Sequence, residues 1–231
     1  MTADKPVTSL LPWLLLLLSV TTGLVDAISV LGLGKVFTAN MTGNVVFLGF
    51  AASGAPGFRI APYMFAIASF MVGALIAGRV GKRHAGSPLR RWLLIAASVE
   101  ASLLWIAAGV AIGFDVAMQM PGASVYIIIT LTGLAMGFRN ATIRQLKVPD
   151  LTTTVLTLTI TGLAANSSVA GGSNPNWARR IGSVAAIFLG AAIGAYLVTH
   201  GGLVAPLILA GGLIFAGTLA CMLHPAANKP L

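Results

Sequence analysis

Six stretches of this chain, residues 11–34, 60–80, 92–114, 125–146, 181–200 and 203–224, stay apolar for twenty residues or more with at most two charges in each. At a rise of ~1.5 Å per residue, about twenty helical residues cross a hydrocarbon layer of ~30 Å. In lipid every backbone N–H and C=O must be paired within the segment, so each stretch is predicted to be a membrane-spanning helix. Composition agrees: 57% of the residues are hydrophobic and 8% are charged, with a mean hydropathy of +0.94. A water-soluble domain of 231 residues could not bury that much apolar surface, and disorder needs the opposite balance. The first stretch resembles a leader peptide, with Lys5 ahead of it and Val25-Asp26-Ala27 as a loose cleavage site. It stays apolar through residue 34, however, so it is expected to remain as the first helix.

The net charge of +9 comes from fourteen Lys and Arg against five Asp and Glu. The basic residues sit mostly between apolar runs, where they act as topology signals; no nucleic acid partner is expected. Two shorter, more polar segments, 37–52 and 151–165, decide between six crossings and eight. With six crossings and the N-terminus inside, Lys5, Arg79, Lys82, Arg83, Arg90, Arg91, Arg144, Lys147, Arg179, Arg180 and Lys229 face the cytoplasm, and Lys35 and Arg59 face out. Eight crossings divide the charges far more evenly, so the positive-inside bias favours six. Both termini are then expected on the cytoplasmic side of the membrane.

The chain also carries an internal resemblance. TGLVDAISVLGLGKVFTANMTGNVVFLG from Thr22 is echoed by TGLAMGFRNATIRQLKVPDLTTTVLTLTITG from Thr132. Each opens on Thr-Gly-Leu, passes Asp26 or Arg139-Asn140, and enters a Thr-rich segment. A helix rich in small residues follows, GALIAG from Gly73 and GAAIGA from Gly190, then a plain apolar helix. Residues 1–115 and 116–231 thus read as two repeats of one membrane domain. With three crossings apiece their orientations are opposite, giving a 3+3 inverted repeat of six spanning helices and two half-helices or re-entrant segments. The small-residue faces suit close helix packing, within the chain or in a homo-oligomer.

A charge at membrane depth is expensive, so Asp26, Glu100 and Arg139 should face protein. The expected pair is Asp26 with Arg139, across the axis relating the halves, and Glu100 is a candidate protonation site. The string Thr38-Ala39-Asn40-Met41-Thr42-Gly43-Asn44 is too polar for lipid. Thr38 or Asn40 suits an N-cap, with the positive helix end turned inward toward an anion or polar oxygen. In the second half Asp150 suits the same role, and Thr153, Thr157 and Thr161 recur every four residues on one face. Expected solute contacts are Thr38, Asn40, Thr42 and Asn44 from one side, and Arg139, Asn140, Thr153, Thr154 and Thr157 from the other. Cys221 is alone, and His84, His200 and His224 lack ligand spacing, so no metal or cofactor is expected. No GxSxG, HExxH, CxxC or phosphate loop is present, and no enzyme is expected.

Through the Asp26 run, the TANMTGN string and TTTVLTLTITG, the chain resembles the YoaK-like family, the domain of unknown function numbered 1275, over nearly its whole length. Asp26, Thr38, Asn40, Thr42, Gly43 and Asn44 carry the first motif, and Arg139, Asn140, Thr153 and Thr154 the second. The resemblance implies a bacterial integral membrane protein and no particular chemistry. From the residues, the expected function is a secondary transporter or facilitator of a small polar or anionic solute, with its site near the midplane. The alternatives are a passive channel and a non-transporting membrane scaffold.

Overall fold

The structure is a computed structural model that describes residues 11–84, 86, 88–146 and 156–223. It is all-helical among the described residues: α1 (Leu11–Gly32), α2 (Met41–Ala52), α3 (Ile60–Arg83), α4 (Leu89–Val110), α5 (Gly122–Leu146), α6 (Leu156–Ala165), α7 (Trp177–Gly201) and α8 (Val204–Met222). Six of these are long and apolar enough to cross a membrane. The twelve residues of α2 reach ~18 Å and the ten described residues of α6 ~15 Å, each short of a ~30 Å hydrocarbon layer. Helix ends follow local chemistry. Pro12, Pro62 and Pro206 sit in first turns, where a missing N–H does no harm. Gly34 ends α1 at φ +87°, and the Lys35 N–H donates to the Val30 carbonyl at 3.1 Å, a left-handed cap of the Schellman type.

α1, α4, α5 and α8 form the centre, and α3 and α7 lie outside them. α7 runs parallel to α1: Gly182 faces Leu16, Gly190 faces Val20 and Gly194 faces Ala27. α3 runs parallel to α5 in the same manner, Ser69 against Gly133 and Gly81 against Gln145. These are backbone contacts. A Cβ on Gly23 would lie 2.1 Å from the Ile187 carbonyl oxygen, and one on Gly73 would lie 2.2 Å from that of Leu134. Lipid offers no hydrophobic drive between helices, so small residues that let backbones touch supply dispersion instead. The small-residue faces are thus occupied within the chain at Gly73, Gly190 and Gly194, while Gly78 meets nothing. α4 and α8 are antiparallel, with the Trp105 indole N–H donating to the Ile208 carbonyl at 3.4 Å.

Several hydroxyls inside the bundle donate to their own helices. Ser19 donates to Leu15 O at 2.9 Å, Thr132 to Ile128 O at 2.6 Å and Thr142 to Phe138 O at 2.9 Å. The two ends of the bundle differ in charge. Lys35 and Arg59 lie at one; Arg79, Lys82, Arg83, Arg90, Arg91, Arg144, Arg179 and Arg180 lie at or near the other. Large apolar side chains such as Phe65, Met71, Phe188 and Tyr196 are exposed on α3 and α7, the surface that lipid covers in a multi-pass membrane protein.

Candidate functional site: a cleft at the re-entrant helix start

After Gly34 the chain turns back along α1 instead of leaving it. Residues 36–40 descend until the Ala39 N–H donates to Asp26 Oδ1 at 3.4 Å and the Asn40 amide donates to Asp26 Oδ2. Asp26 lies six residues before the end of α1, so the descent is ~9 Å. α2 then climbs back toward the end it came from, packed on α3. The polar string is therefore a re-entrant hairpin, with Asp26 as its floor.

Asn44 fixes the hairpin. It is fully buried, accepts from the Phe37 N–H at 2.9 Å, and returns its amide to the Phe37 carbonyl. Phe37 stacks on Phe47, which meets Tyr63 of α3 at 5.8 Å between ring centres. Asn44 and Asn40 do not share a helix face, because the helix begins at Met41 and Asn40 is extended at φ −121°, ψ 101°. The polar groups of Asn44, expected at the solute, are engaged with Phe37 within the hairpin. Asn44→Leu should lower stability by about 2–3 kcal/mol, since it removes the partner of both backbone polar groups of Phe37. Unfolding in detergent, followed by tryptophan fluorescence, measures this. An unchanged midpoint would return Asn44 to the solute. Thr38 is likewise fully buried, and its Oγ1 has no hydrogen-bond partner among the described residues.

Asn40 occupies the N-cap position of α2 but gives its amide to Asp26, so no side chain caps the helix. The positive end of α2 opens onto a cleft of about 550 Å³. Asn40 and Thr42 line it from α2, Phe70 and Ala74 from α3, and Asn140, Ala141 and Arg144 from α5. The Asn140 amide donates to its own helix at Met136 O, 2.8 Å, leaving Oδ1 for other partners. Arg144 is exposed, with no ion pair among the described residues. Uncapped N–H groups, two amides, a hydroxyl and a guanidinium together suit an anion or a polar oxygen.

Arg139 is not in this cleft. It lies about 100° around α5 from Asn140, is 2% exposed, and faces the bundle centre. Its salt bridge is to Glu100 of α4, and Nη1 donates to Leu18 O at 3.1 Å and Thr22 Oγ1 at 3.0 Å. The expected Asp26–Arg139 pair is corrected accordingly: the cation belongs to Glu100, and the Asp26 carboxylate holds the hairpin. The register explains why. Counted from Thr22 and Thr132, Asp26 corresponds to Met136 and not to Arg139. A cavity of about 30 Å³ adjoins the ion pair, with Leu14, Ala97, Thr142 and Thr218 among its lining.

Arg144 supplies the charge that Arg139 does not. It follows Asn140 by four residues, hence on the same helix face, and sequence reading counted it only as a topology marker. In the second half, Thr157 and Thr161 are exposed on α6, and the buried hydroxyl is Thr159, on the side that meets α7. Thr157 and Thr161 thus share an exposed face of α6, opposite the side that packs on α7. Thr153 and Thr154 lie outside the described residues, as does Asp150. Among the described residues the cleft is lined from the start of α2, from α3 and from α5, and not from α6.

The sequence profile described as "Protein of unknown function (DUF1275)" matches residues 14–220. The chain is also similar to "UPF0700 transmembrane protein YoaK" of Bacillus subtilis (strain 168), with 33% identity over 155 residues, 67% of this chain. The matched stretch spans 66% of that relative's length. No solved structure matches.

Proposed function

On the premise that this chain belongs to the DUF1275 family, we propose that it is a secondary transporter or facilitator of a small polar or anionic solute, bound where α2 begins. The observation that carries this reading is the cleft of about 550 Å³ into which a re-entrant helix turns an uncapped N-terminus beside Asn40, Thr42, Asn140 and Arg144. Irregular backbone at membrane depth is tolerated where it is buried in protein or lines a wet cavity, and transporters use broken helices in this way. No catalytic step is part of the proposal.

The same reading takes the fold as a 3+3 inverted repeat. Exchanging α1 with α5, α3 with α7 and α4 with α8 turns the α1·α7 contact into the α5·α3 contact and leaves α4·α8 as it was. Gly23 meets Ile187 and Ala191, as Gly133 meets Ala66 and Ser69. Gly194 meets Leu24, as Gly73 meets Leu134, so Gly73 corresponds to Gly194, one turn beyond the Gly190 that motif alignment pairs with it. Charge asymmetry between the two ends supports a cytoplasmic N-terminus in a bacterial inner membrane.

Counterflow in proteoliposomes tests the function, with labelled phosphate, acetate and succinate as probes. A carrier preloaded with its solute should accelerate uptake of the labelled form. Arg144→Gln should reduce that uptake about tenfold or more, the loss of one charge-assisted contact, without shifting the melting temperature. Uptake without acceleration assigns a channel. A membrane scaffold is the second reading, favoured because Asp26, Asn40 and Asn44 are already satisfied within the hairpin; it predicts no flux of any probe.

A further inference from the structure

Only two described Lys or Arg residues, Lys35 and Arg59, lie at the charge-poor end of the bundle, and they converge on one pocket. The pocket has a volume of about 260 Å³ and is lined by Gly34, Lys35, Gly57, Arg59, Pro62 and Gln119. Three separate links build it. The cap of α1 carries the chain round so that Lys35 projects there, itself left-handed at φ 63°. Arg59 stands at the start of α3. Gln119, also left-handed at φ 52°, comes from the turn between α4 and α5.

Arg59 Nη2 donates to Gln119 Oε1 at 3.1 Å, which leaves the Gln119 amide N–H groups free to donate elsewhere. The Lys35 ammonium lies 5.3 Å from the centre of the Phe58 ring. Neither cation has an ion pair among the described residues. Asp115, the one described acid at this end, is turned to the Met118 N–H at 2.8 Å. Two glycines keep the floor open. A Cβ on Gly34 would stand 3.0 Å from Gln119 Nε2, and one on Gly57 would stand 3.8 Å from Lys35 Nζ. An ammonium, a guanidinium fork and an amide, collected from three loops without a carboxylate, form a donor set for an oxyanion. The placement also runs against the charge bias of the rest of the chain, which disfavours Lys and Arg at this end.

We propose that this pocket is a phosphate-type oxyanion site, separate from the cleft at α2 and independent of whether the protein transports. Its oxyanion is either a free small anion or the phosphate of a lipid headgroup. The volume suits one such group and no macromolecule.

The purified full chain in an uncharged detergent tests it by thermal unfolding at constant ionic strength. Inorganic phosphate exchanged for chloride should raise the melting temperature of the wild type saturably. Lys35→Gln with Arg59→Gln should weaken the apparent affinity about tenfold or more, and Lys35→Arg with Arg59→Lys should restore it. Arg90→Gln with Arg91→Gln, at the other end, should leave the response unchanged. A second arm replaces phosphate with phosphatidylglycerol added to the micelles. A response to the lipid alone that is lost in the Lys35/Arg59 double variant identifies the headgroup as the source. If neither probe separates the double variant from the wild type, or if Arg90 and Arg91 matter as much, the site does not exist.

Discussion

Glu100→Gln destabilises the folded protein by about 3–5 kcal/mol, because it leaves the Arg139 guanidinium charged and unpaired at the bundle centre. The pair is almost fully buried, 3% and 2% exposed, between α4 and α5. Arg139 keeps its donations to Leu18 O and Thr22 Oγ1, but neither acceptor carries a charge. Glu100→Leu combined with Arg139→Met should recover most of the loss, since an apolar pair of similar volume needs no desolvation of ions. Asp26→Asn should have a smaller effect, as its remaining oxygen can still accept from the Ala39 N–H. Equilibrium unfolding of the four proteins in mixed micelles orders them. A larger loss for Asp26→Asn than for Glu100→Gln would assign the cation to Asp26 after all.

Gly190→Ala should be the most damaging single methyl in the chain, at about 3 kcal/mol or more, above the ordinary range for overpacking. A Cβ there would lie 1.9 Å from the Val20 carbonyl oxygen and 3.0 Å from its Cα. No rotamer relieves a clash between two backbones, so α7 must move off α1 along the whole parallel contact. Gly78→Ala is the matched control. It meets nothing within 4 Å, also sits inside a helix, and should be neutral or slightly stabilising. The monomeric folded fraction by size-exclusion chromatography, together with the melting temperature, compares the two. Equal behaviour would mean that α1 and α7 do not touch at this register.

The spanning helices were legible because their cause is local: lipid demands internally paired backbone, and twenty apolar residues meet that demand wherever they sit. The re-entrant segment was legible for the complementary reason. A string with Thr38, Asn40, Thr42 and Asn44 is too polar for lipid, and 37–52 is short for a spanning helix. The small-residue stripes likewise announced close packing. What each stripe packs against did not follow from them: Gly73 meets Leu134 of α5, and Gly190 and Gly194 meet Val20 and Leu24 of α1.

Sequence alone determined the membrane class and the six long apolar stretches, placed Asp26, Glu100 and Arg139 inside them, and marked 37–52 as too polar to face lipid. Tertiary structure decided which of those charges pair and which polar groups face open space. Asp26, Glu100 and Arg139 lie on three helices, and only the packing of α4 against α5 brings Glu100 to Arg139. Asn44 bonds across the hairpin to Phe37, and α2 starts one residue after Asn40, which takes the two amides off a common face. Arg144 came into the cleft, and Arg139 stayed out of it, because α3 covers one side of α5 and α1 and α4 the other. Periodicity fixes the angle between residues on one helix, and the neighbours of each face are set by how the helices pack.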